Sequence, residues 1–562
     1  MDDIYIILII VAVALIAIIL IGLVTSKLAN KALYTRLKAG FGKINEKTYE
    51  YDEYEAISHY FRNTVNEDDD YIDDITWNDL DLDSIYLLIN NTCSSVGREY
   101  LYKLLRVPAS DKAVLEERER LIQFFDGNEA SRTRIMMILK KMGYTRKLSI
   151  SDYMKNIFAL KPGSNFSHHL VNILLLGSLA YMIFVDAVFG ILLLLISAGI
   201  SIISYYKYKA KIETYFICIK QLVAMVDAAK DISNMGIEEL SEYNKSFDEL
   251  YKRFSKVCRN SFLLVSSKDN NGSLVEVLME YIRMFTHVDL IKFNSMLKHM
   301  AGSYDDVISL IDKLGLLDSM ISVANFRRVI PYYCNPNFSD KNEIDIVDVY
   351  HLCIKKPVPN SIKENKPVLI TGSNASGKST FLKSVAINAV LAQSINTCPA
   401  KSYNAPFFRV YSSMALRDSI EAGESYYIVE IKSLKRIMDK AKQKGDKILC
   451  FVDEVLRGTN TVERIAASSQ ILKELWASDV LCFAATHDIE LTYILKDYYS
   501  NYHFTEQVVD NEIQFSYELM EGRATSRNAI KLLEIIGYNK DIVNKAQDRA
   551  EDFVKTGVWR QI

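Results

Sequence analysis

The sequence predicts a mixed α+α/β protein: an N-terminal transmembrane helix, a helical core with an inserted transmembrane hairpin, and a C-terminal α/β domain. Three observations predict it. Two long apolar blocks, at residues 4–24 and 170–205, carry almost no charge. The stretches 84–150 and 207–318 are low in Gly and Pro and repeat apolar residues at helical spacing, as in Ile85, Leu88 and Ile89 and in Leu101, Leu104 and Leu105. Beyond about residue 320, short apolar runs (Val368–Thr371, Ile448–Val452, Val480–Ala485) alternate with helical stretches, the pattern of a largely parallel sheet.

The block at 4–24 contains no charged residue and is long enough to cross about 30 Å of hydrocarbon as a helix. Asp2 and Asp3 precede it where a cleaved signal would carry basic residues, so it reads as a retained anchor. Lys27, Lys31, Arg36, Lys38 and Lys43 follow, which places the N-terminus outside and the following chain in the cytoplasm. The second block has a single charge, Asp186, near its middle. Two short helices turning at Asp186–Gly190 fit it, with Asp186 solvated at the tip and Lys207, Lys209 and Lys211 at the cytoplasmic exit. Three crossings leave residues 206–562 in the cytoplasm. The reading is of a multi-pass protein in the plasma or inner membrane of a prokaryote.

The 562 residues exceed what one core organises, and 49% hydrophobic against 24% charged residues excludes global disorder. A net charge of −3 shows no basic excess of the kind a nucleic-acid-binding surface displays overall. The eight cysteines form no CxxC pair and no zinc spacing, and are expected as free, mostly buried thiols. Residues 44–83 are acidic, with Glu67, Asp68, Asp69, Asp70, Asp73 and Asp74, but lack the alternating ligands and turn glycine of a calcium loop. They read as a solvated connector.

Residues 367–385 read PVLITGSNASGKSTFLKSV: an apolar strand, the loop Gly372-Ser373-Asn374-Ala375-Ser376-Gly377-Lys378-Ser379, then a helix. This is the GxxxxGK[ST] phosphate-binding loop in its required setting. Its glycines let backbone N–H groups turn towards phosphate oxygens, and the helix start favours an anion. Lys378 suits the β- and γ-phosphates of ATP, and the Ser379 hydroxyl suits Mg²⁺; Thr380 extends the site. In KILCFVDEVLRGTN, residues 447–460, an apolar strand ends at Asp453 and Glu454. Asp453 is placed to hold Mg²⁺ and Glu454 to polarise the attacking water as general base. FAATHD, residues 483–488, delivers Thr486 and His487 to the ligand-binding edge of the sheet, where His487 is read as a γ-phosphate sensor.

Together these segments resemble the MutS family of mismatch-repair ATPases. TGSNASGKST is similar to the family's TGPNMGGKST, DEVLRGTNT to DEIGRGTST, and FAATHDIEL to FATHYHEL. SIEAGESYYIVEI resembles DLASGRSTFMVEM, whose serine completes the partner subunit's ATP site; the matching position is Ser425, after Gly423. The resemblance extends to residues 325–338, 521–547 and 79–108, and covers about two thirds of the chain. It implies a C-terminal P-loop α/β ATPase domain of the MutS/ABC type, a homodimer with composite sites, and DNA as a partner.

The expected organisation is an anchor at 1–26, a cytoplasmic polar connector at 27–78, and helical core at 79–168. The hairpin follows at 169–206, a helical lever at 207–318, the ATPase domain at 319–550 and a tail at 551–562. There are departures from the family pattern. No segment corresponds to a mismatch-reading domain with its Phe-x-Glu wedge, since the FTE at Phe504–Glu506 falls in the ATPase domain. Glu424 stands where the family has Arg, and Tyr426 where it has Thr. Gly423 lies 30 residues before Asp453, unlike the transporter signature that immediately precedes the second motif. Two functions are compatible with this pattern. One is a membrane-tethered MutS-like ATPase acting on DNA, with Lys252, Arg253, Lys256 and Arg259 as candidate phosphate contacts. The other is a membrane-machinery ATPase that uses the same dimerisation cycle without DNA.

Overall fold

A computed structural model describes residues 24–44, 48–66, 69–145, 148–261, 264, 274–373, 375–414, 426–443, 445, 447–509, 512–524, 529–559 and 561. The apolar anchor up to residue 23 lies outside the described residues. The chain forms two compact units. One comprises Met1–Glu67, Asn90–Lys103 and Arg120–Phe326; the other comprises Asp68–Ile89, Leu104–Glu119 and Arg327–Ile562.

The first unit is helical throughout its described residues. Its elements stop and start where local chemistry dictates. Asn128 caps the helix Glu129–Met142 by accepting the Ser131 N–H, Lys140 and Lys141 occupy the last turn, and Gly143 ends it at positive φ. Asp318, fully buried inside the long helix Tyr304–Val329, accepts the Cys93 and Ser94 amides at 2.8 and 2.9 Å and the Ser94 hydroxyl at 2.6 Å. One carboxylate thereby satisfies the orphan amides at the start of the helix Ser95–Arg106. Arg98, with 1% of its side chain exposed, is neutralised by Glu53 at 2.7 Å and bonds the Thr145 carbonyl.

The second apolar block forms two helices, Phe166–Phe184 and Ala187–Asn234, that break at Val185–Asp186. The first, and residues Ala187–Glu213 of the second, are long and apolar enough to cross a membrane, but the second helix is 48 residues long where a short one was expected. Asp186 sits exposed in the break and caps the second helix by accepting the Phe189 N–H at 2.7 Å. Ile173, Leu176, Ile183, Phe184, Val188 and Leu195 all point outward. The root of the hairpin is polar instead. His168 Nδ1 meets His287 Nδ1 at 2.9 Å, Asn172 donates to the Thr286 carbonyl at 2.7 Å, and Tyr205 donates to Asp289 at 2.9 Å. The boundary expected at residue 206 is not a break: the helix continues to Asn234, because no Pro or turn signal interrupts it.

The other unit contains two sheets. The strands are β1 (Asn337–Phe338), β2 (Ile344–Val349), β3 (Asn360–Glu364), β4 (Val368–Thr371), β5 (Ser402–Ala405), β6 (Arg409–Ser413), β7 (Ile448–Asp453), β8 (Leu481–Thr486), β9 (Ser500–Val509) and β10 (Glu512–Glu521). A small sheet runs β1-β5-β2-β3, and the main sheet runs β10-β9-β4-β8-β7-β6. In the main sheet every pairing is parallel except β9 with β10. β4, β7 and β8 are apolar along almost their whole length, as strands covered on both faces must be. Cys450 and Cys482 are register partners in that core, and five of the eight free cysteines are buried while Cys353 is exposed.

The acidic stretch read as a solvated connector is instead partly built into the fold. Its apolar residues Ile57, Tyr60, Phe61, Ile72 and Trp77 are buried, and the helices Tyr51–Thr64 and Asp74–Asp79 form around them. Asp79, 3% exposed, accepts the Ser412 hydroxyl and the Met414 amide at 2.7 and 2.9 Å, while Thr76 receives the Ser412 amide. These side chains cover the outer edge of β6. Residues 79–89 and 104–119, expected with the helical core, also cluster with this unit.

A Cβ on Gly97 would lie 2.1 Å from Asp318 Oδ2, whereas one on Gly127 meets nothing within 4 Å. Gly97→Ala is therefore expected to destabilise the protein by about 1–3 kcal/mol. Gly127→Ala should be neutral or stabilise by up to about 1 kcal/mol. Urea unfolding of the detergent-solubilised protein followed by circular dichroism measures both, and equal effects would disprove the assignment of Gly97 to a close approach.

Candidate nucleotide site

The site stands at the C-terminal edge of three adjacent strands. Thr371 of β4 pairs in register with Thr486 of β8, and Ala485 of β8 with Asp453 of β7. Whatever follows each strand therefore emerges into the same crevice.

From β4 the chain enters the glycine loop. Gly372 has φ 151°, and a Cβ there would lie 2.9 Å from Ser376 Oγ and 3.0 Å from the Phe504 carbonyl. Ala375 at φ 64° and Gly377 at φ 110° complete the turn, and the helix Lys378–Ile395 begins directly after. Lys378 is 5% exposed, and its ammonium donates to the Gly372 and Ser373 carbonyls at 2.8 Å each. Burial pushes that ammonium below its ordinary value; Asp453, Glu454 and Glu506 pull the other way. The Ser376 hydroxyl is fully buried with no hydrogen-bond partner among the described residues. Asn374 lies outside the described residues.

From β7 the chain delivers Asp453 and Glu454. The Ser379 hydroxyl donates to Asp453 Oδ2, while buried Oδ1 has no partner among the described residues. Burial pushes the Asp453 carboxyl up; the Ser379 bond opposes this and the Glu454 charge adds to it. A hydroxyl and a carboxylate with one unsatisfied oxygen are hard oxygen donors, the set Mg²⁺ prefers. Glu454 has φ 58°, held by its own N–H donating to the Ala485 carbonyl at 2.9 Å. Its carboxylate is shared between His487 Nε2 at 2.8 Å and Arg457 Nε at 2.9 Å. The His487 bond holds the Glu454 carboxyl below its ordinary value against the opposing effect of burial. From β8 comes His487 itself. The next residue, Asp488, is clamped by Arg464 through two bonds of 2.8 and 2.6 Å, which fixes the turn.

The structure thus brings together Gly372, Ser373, Ala375, Ser376, Gly377, Lys378, Ser379, Asp453, Glu454 and His487, with Thr380 beside them. Ser425 and the neighbouring Gly423 and Glu424 lie outside the described residues. Sequence reasoning missed three groups. Glu506 of β9 accepts the Ser373 hydroxyl at 2.8 Å, so the FTE segment borders the glycine loop. Glu430 contacts the turn after Glu454. A cavity of about 310 Å³ opens beside Gly377 and Thr380, walled by Ile354, Pro357, Val358, Phe381, Phe504 and Tyr517. Glu430 stood in the quoted segment SIEAGESYYIVEI and Glu506 in the discounted FTE segment, but neither pattern showed what the side chain would touch, and the cavity had no linear signal. In the helical unit, Arg253 on the helix Ser241–Cys258 pairs with Asp306 through bonds of 2.7 and 2.8 Å, and Lys252 and Lys256 on that helix and Arg259 just after it are exposed.

Strand order, glycine loop and acidic strand end define an α/β domain of the P-loop class. Residues 368–554 match the sequence model described as MutS domain V. It is similar to the DNA mismatch repair protein MutS of Pseudothermotoga lettingae, 29% identical over 43% of this chain and 31% of that one. The protein of the same name from Thermosipho melanesiensis is 28% identical over 46% and 32%, and that from Clostridium botulinum 29% identical over 38% and 25%. The chain thus spans about a third or less of the length of these curated relatives.

Alanine at Gly372 would introduce a side chain into the Ser376–Phe504 contact at a backbone angle that favours glycine. With strain on the order of 1–3 kcal/mol, Gly372→Ala should weaken binding of a fluorescent ATP analogue about tenfold or more. Unchanged affinity would show that the loop does not hold its ligand in the conformation described.

Proposed function

We propose that this chain is a membrane-tethered MutS-type ATPase that binds ATP with Mg²⁺ in a homodimer with composite sites, and that it acts on DNA. The observation that carries the ATPase reading is the hydrogen bond from the Ser379 hydroxyl to Asp453, which joins the helix start after the glycine loop to the acidic strand end. In this reading the loop amides and Lys378 bind the triphosphate, Lys378 exchanging the Gly372 and Ser373 carbonyls for phosphate oxygens. The apolar cavity beside Gly377 and Thr380 suits the flat face of the nucleobase. Ser379 and Asp453 would hold Mg²⁺, which when bound would offset the charge of the phosphates. Glu454 takes the proton of the attacking water. His487 orients Glu454 and senses the γ-phosphate. Ser425 of each subunit would complete the partner's site, as the family resemblance implies.

Membrane tethering is supported by the hairpin. Only 11% and 17% of the apolar windows in its two helices are buried, where a soluble core helix would be mostly covered. DNA as the partner is supported by kinship with proteins named for mismatch repair. The second reading, a membrane-machinery ATPase that moves membrane or protein partners without DNA, is favoured by the net charge of −3 and by the loss of Arg253 to Asp306.

Lys378→Ala is expected to abolish ATP binding. Glu454→Gln should bind ATP normally, accumulate as a dimer, and hydrolyse on the order of 10²-fold more slowly or worse. Wild-type turnover in either variant would refute the assigned role. DNA binding by the detergent-solubilised protein, measured across a salt series, separates the two functions. Affinity that falls steeply with salt is expected from phosphate contacts, and no binding at low salt would leave the membrane-machinery reading.

A further inference from the structure

Glu430 lies on the helix Tyr426–Ala441 and is 4% exposed. Its Oε1 accepts the Leu456 N–H, with the Arg457 amide beside it, and Oε2 has no partner among the described residues. A carboxylate is costly to bury, and here it is buried against backbone that needs it. Glu454 and Leu456 both have φ 58°, so two non-glycine residues within three positions occupy the left-handed region. Such residues cost on the order of 1–3 kcal/mol each and persist where the surroundings over-determine them.

Three elements supply that constraint. The Glu454 N–H is held by the Ala485 carbonyl of β8, and the Val455 carbonyl by the Ser468 hydroxyl of the helix Thr461–Ala477 at 3.1 Å. The Leu456 amide is held by Glu430. Arg457 then leaves the turn aimed back at Glu454, and its Nε reaches Oε2 at 2.9 Å. His487 occupies the other oxygen. The orientation of the Glu454 carboxylate therefore depends on a turn whose last fixed point is Glu430.

We infer that Glu430 is a positioning residue for hydrolysis: by holding the turn at 456–457 it directs Arg457 onto Glu454 and so aims the base. The inference rests on the proposed role of Glu454. It makes Glu430 act on turnover and not on nucleotide affinity, because the glycine loop and Lys378 lie on other elements.

The test uses the full-length protein in detergent, with Glu430→Ala, Glu430→Gln and Glu454→Gln. Glu430→Ala should lower kcat on the order of 10²-fold, the scale of a misplaced reacting group, while KM and the affinity for a fluorescent ATP analogue stay within about twofold. Glu430→Gln, whose amide oxygen still accepts the Leu456 N–H, should recover most of kcat. Glu430→Leu, of similar shape without an acceptor, replaces the alanine variant if that fails to fold. An unchanged kcat in Glu430→Ala overturns the inference, as does parallel loss of affinity and turnover, or a glutamine variant as impaired as alanine. Normal hydrolysis by Glu454→Gln would overturn the role of Glu454 as base, on which the inference rests, whereas no ATP hydrolysis by the wild-type protein would overturn the ATPase reading itself. An inactive Glu454→Gln beside a fully active Glu430→Ala would overturn the Glu430 inference alone.

Discussion

The site depends on one constraint, the in-register parallel pairing of β4, β8 and β7. Thr371, Thr486 and Asp453 end their strands at the same edge. A slip of one residue in either pairing would turn the buried side chains of a strand to the opposite face. It would also carry Asp453 away from Ser379 by about 3.3 Å. β4 and β8 are buried on both faces, so the register is held by the close fit of each side chain to its own packing site and not by an apolar–polar alternation. Core packing and the placement of the chemistry are thus the same requirement.

Charge at this edge is unbalanced in a way that suits its ligand. One buried ammonium, Lys378, faces three carboxylates, Asp453, Glu454 and Glu506. Burial disfavours the charged forms of both Lys378 and Asp453, and the two carboxylates at 453 and 454 repel each other. A triphosphate alone would worsen the repulsion and a divalent cation alone would leave the loop amides unused. In the proposed function the two together would satisfy the amides, the ammonium and the Asp453 oxygen that has no partner among the described residues. Within this balance His487 and Arg457 engage both oxygens of Glu454 and favour its ionised form.

Much of this was legible in the sequence because phosphate binding demands contiguous residues. A strand, a glycine loop and a helix start must follow one another, so Gly372 to Ser379 announce themselves, and an acidic pair after an apolar run does the same for Asp453 and Glu454. What was not legible acts across the fold. Glu506 reaches Ser373 from 133 positions away, and Glu430 reaches Leu456 from 26. Neither spacing is fixed by local chemistry. The acidic connector was misread for a related reason. Its charges dominate the composition, while Trp77 and Ile72, which decide its burial, are isolated apolar residues without a clear period. Asp79 looks like one more solvated acid until β6 supplies its partners.

The hairpin shows the same division and adds a mechanical consequence. Its uncharged runs are plain in the sequence, but the polar root formed by His168, Asn172, Tyr205, His287 and Asp289 is not. That root ties the apolar helices to Leu274–Thr286 and Val288–Met300 through buried bonds, which resist sliding more than apolar packing would. The second hairpin helix then runs unbroken for 48 residues, about 72 Å at the usual rise. A helix that continues unbroken past the end of its apolar part links the movement of one part to that of the other. In the membrane-tethered reading, movement of its polar half must therefore tilt its apolar half in the bilayer. Under either proposed function that coupling would be the same, whether the partner is DNA or a membrane protein.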